Sequence, residues 1–180
     1  MASDKKFDDE LTPGMEVHAD AVLAIDPGTT QSALLVFNGN TIAFREILNN
    51  PAAAEIMRQA RHLLPQCTHL AIEKIECYGM PVGMSVFETA FWSGRFAEAC
   101  RLPCTRIGRK EITLHLCNSV RAKDANIRQA LIDRWGGKEA AIGKKKSPGP
   151  LYGVKSHLWS ALAVAVTWWD LYREQKPGQE

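Results

Sequence analysis

Asn38-Gly39-Asn40 lies between two runs of strand-like composition, Ser32 to Phe37 and Thr41 to Ile47. An Asn-Gly turn readily supplies the positive φ that a tight hairpin needs, so these runs are expected to pair antiparallel. An earlier apolar run, Ala21 to Ile25, stops at Asp26-Pro27-Gly28-Thr29-Thr30, a sharp Pro-Gly break. The chain is therefore expected to open on three strands joined by short turns.

Beyond the hairpin, helix and strand alternate. Pro51 to Leu64 has helical apolar spacing, with Asn50 as its cap and Pro51 at the first position. Leu70 to Ile75 reads as a fourth strand, Tyr78 to Gly83 as a loop, and Ser85 to about Arg101 as a long helix. Pro103 to Ile107 is a fifth strand, and helices are expected over Lys110 to Leu116 and Lys123 to Trp135. Gly136 to Gly153 is long, glycine-rich and basic, a connection expected to be either functional or disordered. Ser156 to about Tyr172 closes the pattern as a strongly apolar helix. This order indicates an α/β domain with a mixed five-stranded sheet flanked by helices. It is expected to span residues 21–173, between a flexible acidic arm (1–20) and a polar tail (174–180).

With 46% apolar and 23% charged residues, an ordinary globular core is expected. No apolar run approaches the ~18–20 residues of a membrane span. The polar start MASDKKFDDE does not resemble a secretory signal. Five irregularly spaced cysteines suit a reducing compartment, so a cytoplasmic location is expected. Charge is uneven along the chain: residues 95–146 hold thirteen bases against five acids, while residues 1–94 are net acidic. One basic side suggests a polyanionic partner, although solvated helix faces would give the same count.

Two acids stand inside apolar strand runs, Asp26 at the end of the first strand and Glu73 near the end of the fourth. Burying carboxylates is costly unless a cation, hydrogen bonds or raised pKa values compensate. If those strands are neighbours, the two acids converge at one sheet end and can hold Mg²⁺ through oxygen ligands. Either could instead cap a turn. His157 begins the last helix with Ser160 one turn on; it is a candidate for metal ligation or water activation, or simply a packed histidine.

Asp-Pro-Gly after the first strand, Ile-Glu after the fourth, and His-x-x-x-Ala-Leu-Ala opening the last helix together resemble the RuvC-type Holliday-junction resolvases. Similarity continues, in the family's order, through Ser93-Gly94-Arg95-Phe96-Ala97-Glu98-Ala99, Ile107-Gly108-Arg109-Lys110-Glu111-Ile112 and Arg121 to Arg128. The resemblance implies a ribonuclease-H-like fold, a homodimer, and Mg²⁺-dependent nicking of four-way DNA junctions to leave 5′-phosphate and 3′-hydroxyl ends. Asp26, Glu73 and His157 would be the catalytic and metal-binding set.

The family's closing motif usually reads Asp or His, two residues, then Asp. Here it reads His157-Leu158-Trp159-Ser160, so a serine holds the last carboxylate position. Ser160 and Glu76 are then supporting candidates, and two carboxylates with an imidazole shift preference toward Mn²⁺. This serine, the Gly136 to Gly153 stretch and the compact size resemble phage-encoded members more than bacterial ones.

Expected DNA contacts are Lys110, Arg121, Lys123 and Lys144-Lys145-Lys146, with Tyr78 placed to stack at an opened junction. A broader debranching enzyme acting on flaps or forks, and a branched-DNA binder without catalysis, remain alternatives. Structural zinc at Cys100, Cys104, His115 and Cys117 is disfavoured, because ligands two apart on a helix diverge. Asp26 to Thr30 is also similar to the first phosphate motif of actin-like ATPases and sugar kinases, but no second Asp-x-Gly strand is present.

Overall fold

A computed structural model describes residues 21–77, 79 and 81–174. The expected arm, the tail beyond Glu174 and Tyr78 lie outside the described residues. Five strands form one sheet in the order β3-β2-β1-β4-β5: β1 (Ala21–Asp26), β2 (Gln31–Phe37), β3 (Ile42–Asn49), β4 (Cys67–Lys74) and β5 (Cys104–Gly108). The first three are antiparallel neighbours, as the turn chemistry indicated, whereas β4 joins β1 in parallel and β5 joins β4 in parallel. That second half needs crossover connections. Helices α1 (Asn50–Arg58), α2 (Ala60–Leu63) and α3 (Met84–Cys100) provide them. The run expected as one helix, Pro51 to Leu64, is divided at Gln59, whose backbone leaves helical geometry (φ −95°, ψ 3°).

Side chains alternate across β1 and sort into two cores. Leu23 and Ile25 face α1 and α3, in a core with Met57, Leu70 and Phe96. Val22 and Ala24 face the other side, where α4 (Arg109–Cys117), α5 (Asp124–Arg134) and α7 (Leu158–Leu171) pack. Ten of the fourteen α7 residues are buried, as expected for a helix covered by the sheet on one side and by α4 and α5 on the other. The same alternation decides where the acids point. Asp26 shares the parity of Val22 and Ala24, and Glu73 that of Ala71, so both carboxylates lie on the α7 face.

Asn50 does not cap α1. Asn49 does, its side chain accepting from the Ala52 N–H at 2.9 Å. Pairing of β3 with β2 runs to Asn49 opposite Gln31, which delivers Asn50 into the interior beside the β1–β2 turn. There its Nδ2 donates to the Gly28 carbonyl (3.0 Å) and its Oδ1 accepts from the Ser32 hydroxyl (2.7 Å). Ser32 in turn accepts from the Gly28 N–H (3.2 Å). A Cβ on Gly28 would lie 2.3 Å from the Gln31 carbonyl oxygen, so only glycine makes this turn. The network fixes the backbone immediately after Asp26. Asn50→Ala strands the buried Ser32 hydroxyl and should cost about 2–3 kcal/mol. Urea unfolding checks this, and a loss under about 0.5 kcal/mol would contradict it.

Gly136 to Gly153, expected to be functional or disordered, is ordered. It holds α6 (Lys138–Ala141) and a small hairpin, β6 (Gly143–Lys144) with β7 (Ser147–Pro148), turning at Lys145-Lys146. Buried Ala141, Leu151 and Val154 anchor it to the α7-side core, and the Leu151 N–H donates to the Ala141 carbonyl at 2.7 Å.

Candidate active site

Asp26 and Glu73 reach the same edge because β1 and β4 are parallel neighbours. Their register pairs Ala24 with Ala71 and Ile25 with Ile72, which sets the two acids level one residue further on. His157, just before α7, places Nδ1 3.2 Å from Asp26 Oδ2. Ser160, one turn into the helix, places its hydroxyl near enough to Asp26 to favour the ionised carboxylate. From the opposite side, Arg109 Nη1 lies 3.6 Å from Glu73 Oε1 and Nη2 bonds the Asp124 carboxylate. Position 109 comes directly after β5, whose Ile107 pairs with Glu73.

The electrostatics reflect two acids in a small space. Burial holds the Asp26 carboxyl above the usual range, partly offset by His157, Arg109 and Ser160. Burial and the adjacent Asp26 charge push Glu73 up to about 7, against the opposing pull of Arg109. A pair this short of positive charge is suited to a divalent cation, and its oxygen donors fit a hard ion such as Mg²⁺. Asp26 and Glu73 would hold the ion, with His157 alongside. Among the described residues no three His, Cys, Asp or Glu side chains gather closely enough to enclose a metal. Other coordination positions would fall to water and substrate, which Mg²⁺ accepts readily. Glu76 bonds Lys74 at 3.0 Å and covers Gly108, where a Cβ would meet its carboxylate at 2.6 Å.

A cleft of about 770 Å³ opens beside His157 and Ser160, lined also by Asp124, Arg128, Lys138 and Lys155. Arg128 lies over the Trp159 ring at 4.9 Å. Arg109, Arg128, Lys138 and Lys155 do not stand out as site residues in the sequence. The excess of bases over residues 95–146 was the available signal for the first three, but it does not say which of them share a surface. Of the expected DNA contacts, Lys110 is next to Arg109 on α4 and Lys123 precedes Asp124 at the start of α5. Arg121 is exposed in the loop between them, and Lys144, Lys145 and Lys146 form the tip of the β6–β7 hairpin.

No family model matches the chain, and no curated protein matches its sequence. Solved structures do. Thermus thermophilus RuvC superposes with a TM-score of 0.58 at 19% identity, over 82% of this chain and 92% of that one. T. thermophilus RuvC in complex with a Holliday junction substrate superposes with a TM-score of 0.57 at 19% identity, over 82% and 91%. This chain has the RuvC fold. The ribonuclease-H-like mixed sheet expected from the motifs is present, three antiparallel strands followed by two added in parallel. Both RuvC structures are bacterial, so the phage-like form of the sequence gains no support from them. None of the five cysteines is joined in a disulfide, and His115 bonds Asp170 at 2.8 Å. Among the described residues no helix is long and apolar enough to cross a membrane.

Proposed function

We propose that this protein is a divalent-metal-dependent, structure-selective endonuclease that resolves four-way DNA junctions as a homodimer. The observation that carries this reading is the level placement of Asp26 and Glu73 on one face of a RuvC-fold sheet, beside a basic cleft. T. thermophilus RuvC, the neighbour in fold, is seen on a Holliday junction. The bound ion supplies Lewis acidity toward a phosphate oxygen and a more acidic water.

The chain's own groups do the rest. In the neutral tautomer protonated at Nδ1, His157 donates to Asp26 and offers Nε2 as the acceptor of a proton from the attacking water. Ser160 keeps Asp26 in that orientation. Arg128, Lys138 and Lys155 line the path of a phosphate backbone. Met84, Phe87 and Phe91 on α3 are exposed (74%, 61% and 55%), while Phe96 on the same helix is buried. A second copy covering that apolar face gives the two symmetric sites that paired nicking needs.

The test is a synthetic four-way junction with each strand labelled in turn, incubated in Mg²⁺ and in Mn²⁺ beside flap and fork substrates. Paired symmetric nicks with ligatable 5′-phosphate ends establish resolution. Equal cutting of flaps and forks establishes the broader debranching activity. A second reading, a branched-DNA binder, is favoured by Ser160 and the small number of acids; tight binding without nicks in either metal would establish it.

The hairpin lysines have a separate signature. Phosphate contacts release counterions, so log K falls with log salt by about 0.9 per contact. Replacing Lys144, Lys145 and Lys146 with serine should flatten that slope by about 2–3 in Ca²⁺ binding assays. An unchanged slope places the hairpin away from DNA.

A further inference from the structure

We propose that Arg109 is a catalytic residue of this site, released from Glu73 when the site is loaded and turned, on its Asp124 tether, to the phosphate being cut. The proposal rests on the nuclease function proposed for the site. Arg109 and His157 are the two bases ion-paired with the site acids among the described residues. Arg109 makes two contacts of different kinds. Its Nη1 stands 3.6 Å from Glu73 Oε1, too far for a well-formed hydrogen bond, while Nη2 bonds Asp124 directly. The inner contact is the looser one.

Asp124 begins α5 and lines the same cleft as His157 and Ser160, so the guanidinium is tethered to a residue of that cleft's wall. A divalent ion on Glu73 places like charge within a few ångströms of Arg109 and removes the reason for that contact. The Asp124 pairing survives, and the N–H donors freed from Glu73 can take another acceptor. A phosphate whose oxygens gain charge during attack is the anion that matches a planar guanidinium. Arg109 would hold the non-bridging oxygens and neither gain nor lose a proton. The competing account makes Arg109 a strut that merely keeps Glu73 in place between β5 and α5.

The two accounts differ in sign. Full-length wild type, Arg109→Gln and Arg109→Lys are titrated with Mn²⁺ in the absence of DNA, followed by water proton relaxation. Single-turnover junction nicking at saturating Mn²⁺ and junction binding in Ca²⁺ are measured beside it. Arg109→Gln should bind Mn²⁺ several-fold more tightly, because a cation next to Glu73 is gone. It should nonetheless nick about 10²–10³-fold more slowly, with junction affinity changed by no more than about threefold. Arg109→Lys should recover roughly tenfold of the rate. Asp124→Asn, which loosens the tether and leaves Glu73 untouched, should slow nicking by roughly three- to tenfold. Mn²⁺ affinity and rate falling together would identify a strut and overturn the proposal, as would a glutamine variant nicking within threefold of wild type. Wild type that binds junctions and never nicks them rejects the nuclease function itself, a result visible before any variant is compared.

Discussion

Asp26→Asn should reduce junction nicking by about 10³-fold or more while the protein stays folded and still binds junctions. The substitution preserves shape and every heavy atom position, but it removes the charge that would bind a cation and that holds His157 in its tautomer. Both consequences strike the same step, so their effects will not add as independent losses. Stability should not fall, because burial already holds this carboxyl above its usual range and a neutral amide avoids that cost. Junction binding in Ca²⁺ should be retained, since the basic cleft residues are unchanged. Residual nicking within tenfold of wild type, in either Mg²⁺ or Mn²⁺, would remove Asp26 from the centre of the reaction.

Glu73→Gln carries the second large effect, and here the readout is pH as well as rate. The folded protein holds the Glu73 carboxyl at about 7, against an ordinary value of 4.5. Between those values the native state binds a proton that the unfolded chain has released, so stability declines as pH rises through this window. At about 1.4 kcal/mol per pH unit the decline attributable to Glu73 is roughly 3 kcal/mol, complete above pH 7. Urea unfolding in EDTA at pH 5, 6, 7 and 8 should show wild type losing stability relative to Glu73→Gln across that range. Divalent cation should restore wild type most strongly at pH 8, where no proton competes for the carboxylate, and should do little for the glutamine variant. Nicking by Glu73→Gln should fall as far as that of Asp26→Asn. Parallel pH profiles for the two proteins would mean that Glu73 is well solvated and the pair is not short of positive charge.

Much of the architecture could be read along the chain because its signals are local. Strands β1 to β5 coincide with apolar runs bounded by Pro-Gly, Asn-Gly and loop residues, and their observed limits differ from the expected ones by at most three residues. The α7 helix was legible for the same reason: an apolar stretch too long for a strand. Where one residue had two local uses, the expectation failed. Asn50 beside Pro51 has the form of a helix cap, yet Asn49 takes that role and Asn50 is the buried centre of the β1–β2 turn. The β6–β7 hairpin was missed because a Lys-Lys turn carries no positive-φ residue type, and because its anchors, Ala141, Leu151 and Val154, are apolar residues in a glycine-rich stretch.

Residue type and local pattern are enough to mark the groups whose chemistry is costly to bury. Asp26 and Glu73 stand out as acids in apolar strands whatever the fold, and the pairing of His157 with Ser160 comes from spacing on one helix. That these groups meet is a matter of three-dimensional packing. Parallel pairing of β1 with β4 sets the two acids level, and α7 crossing their face brings His157 to Asp26 from 131 positions away. Arg109 reaches Glu73 and Asp124 through the packing of β5, α4 and α5, and Arg128 meets Trp159 across two helices. Periodicity reports which face a side chain takes within its own element. Which elements become neighbours depends on burying both faces of the sheet at once, a property of the whole chain.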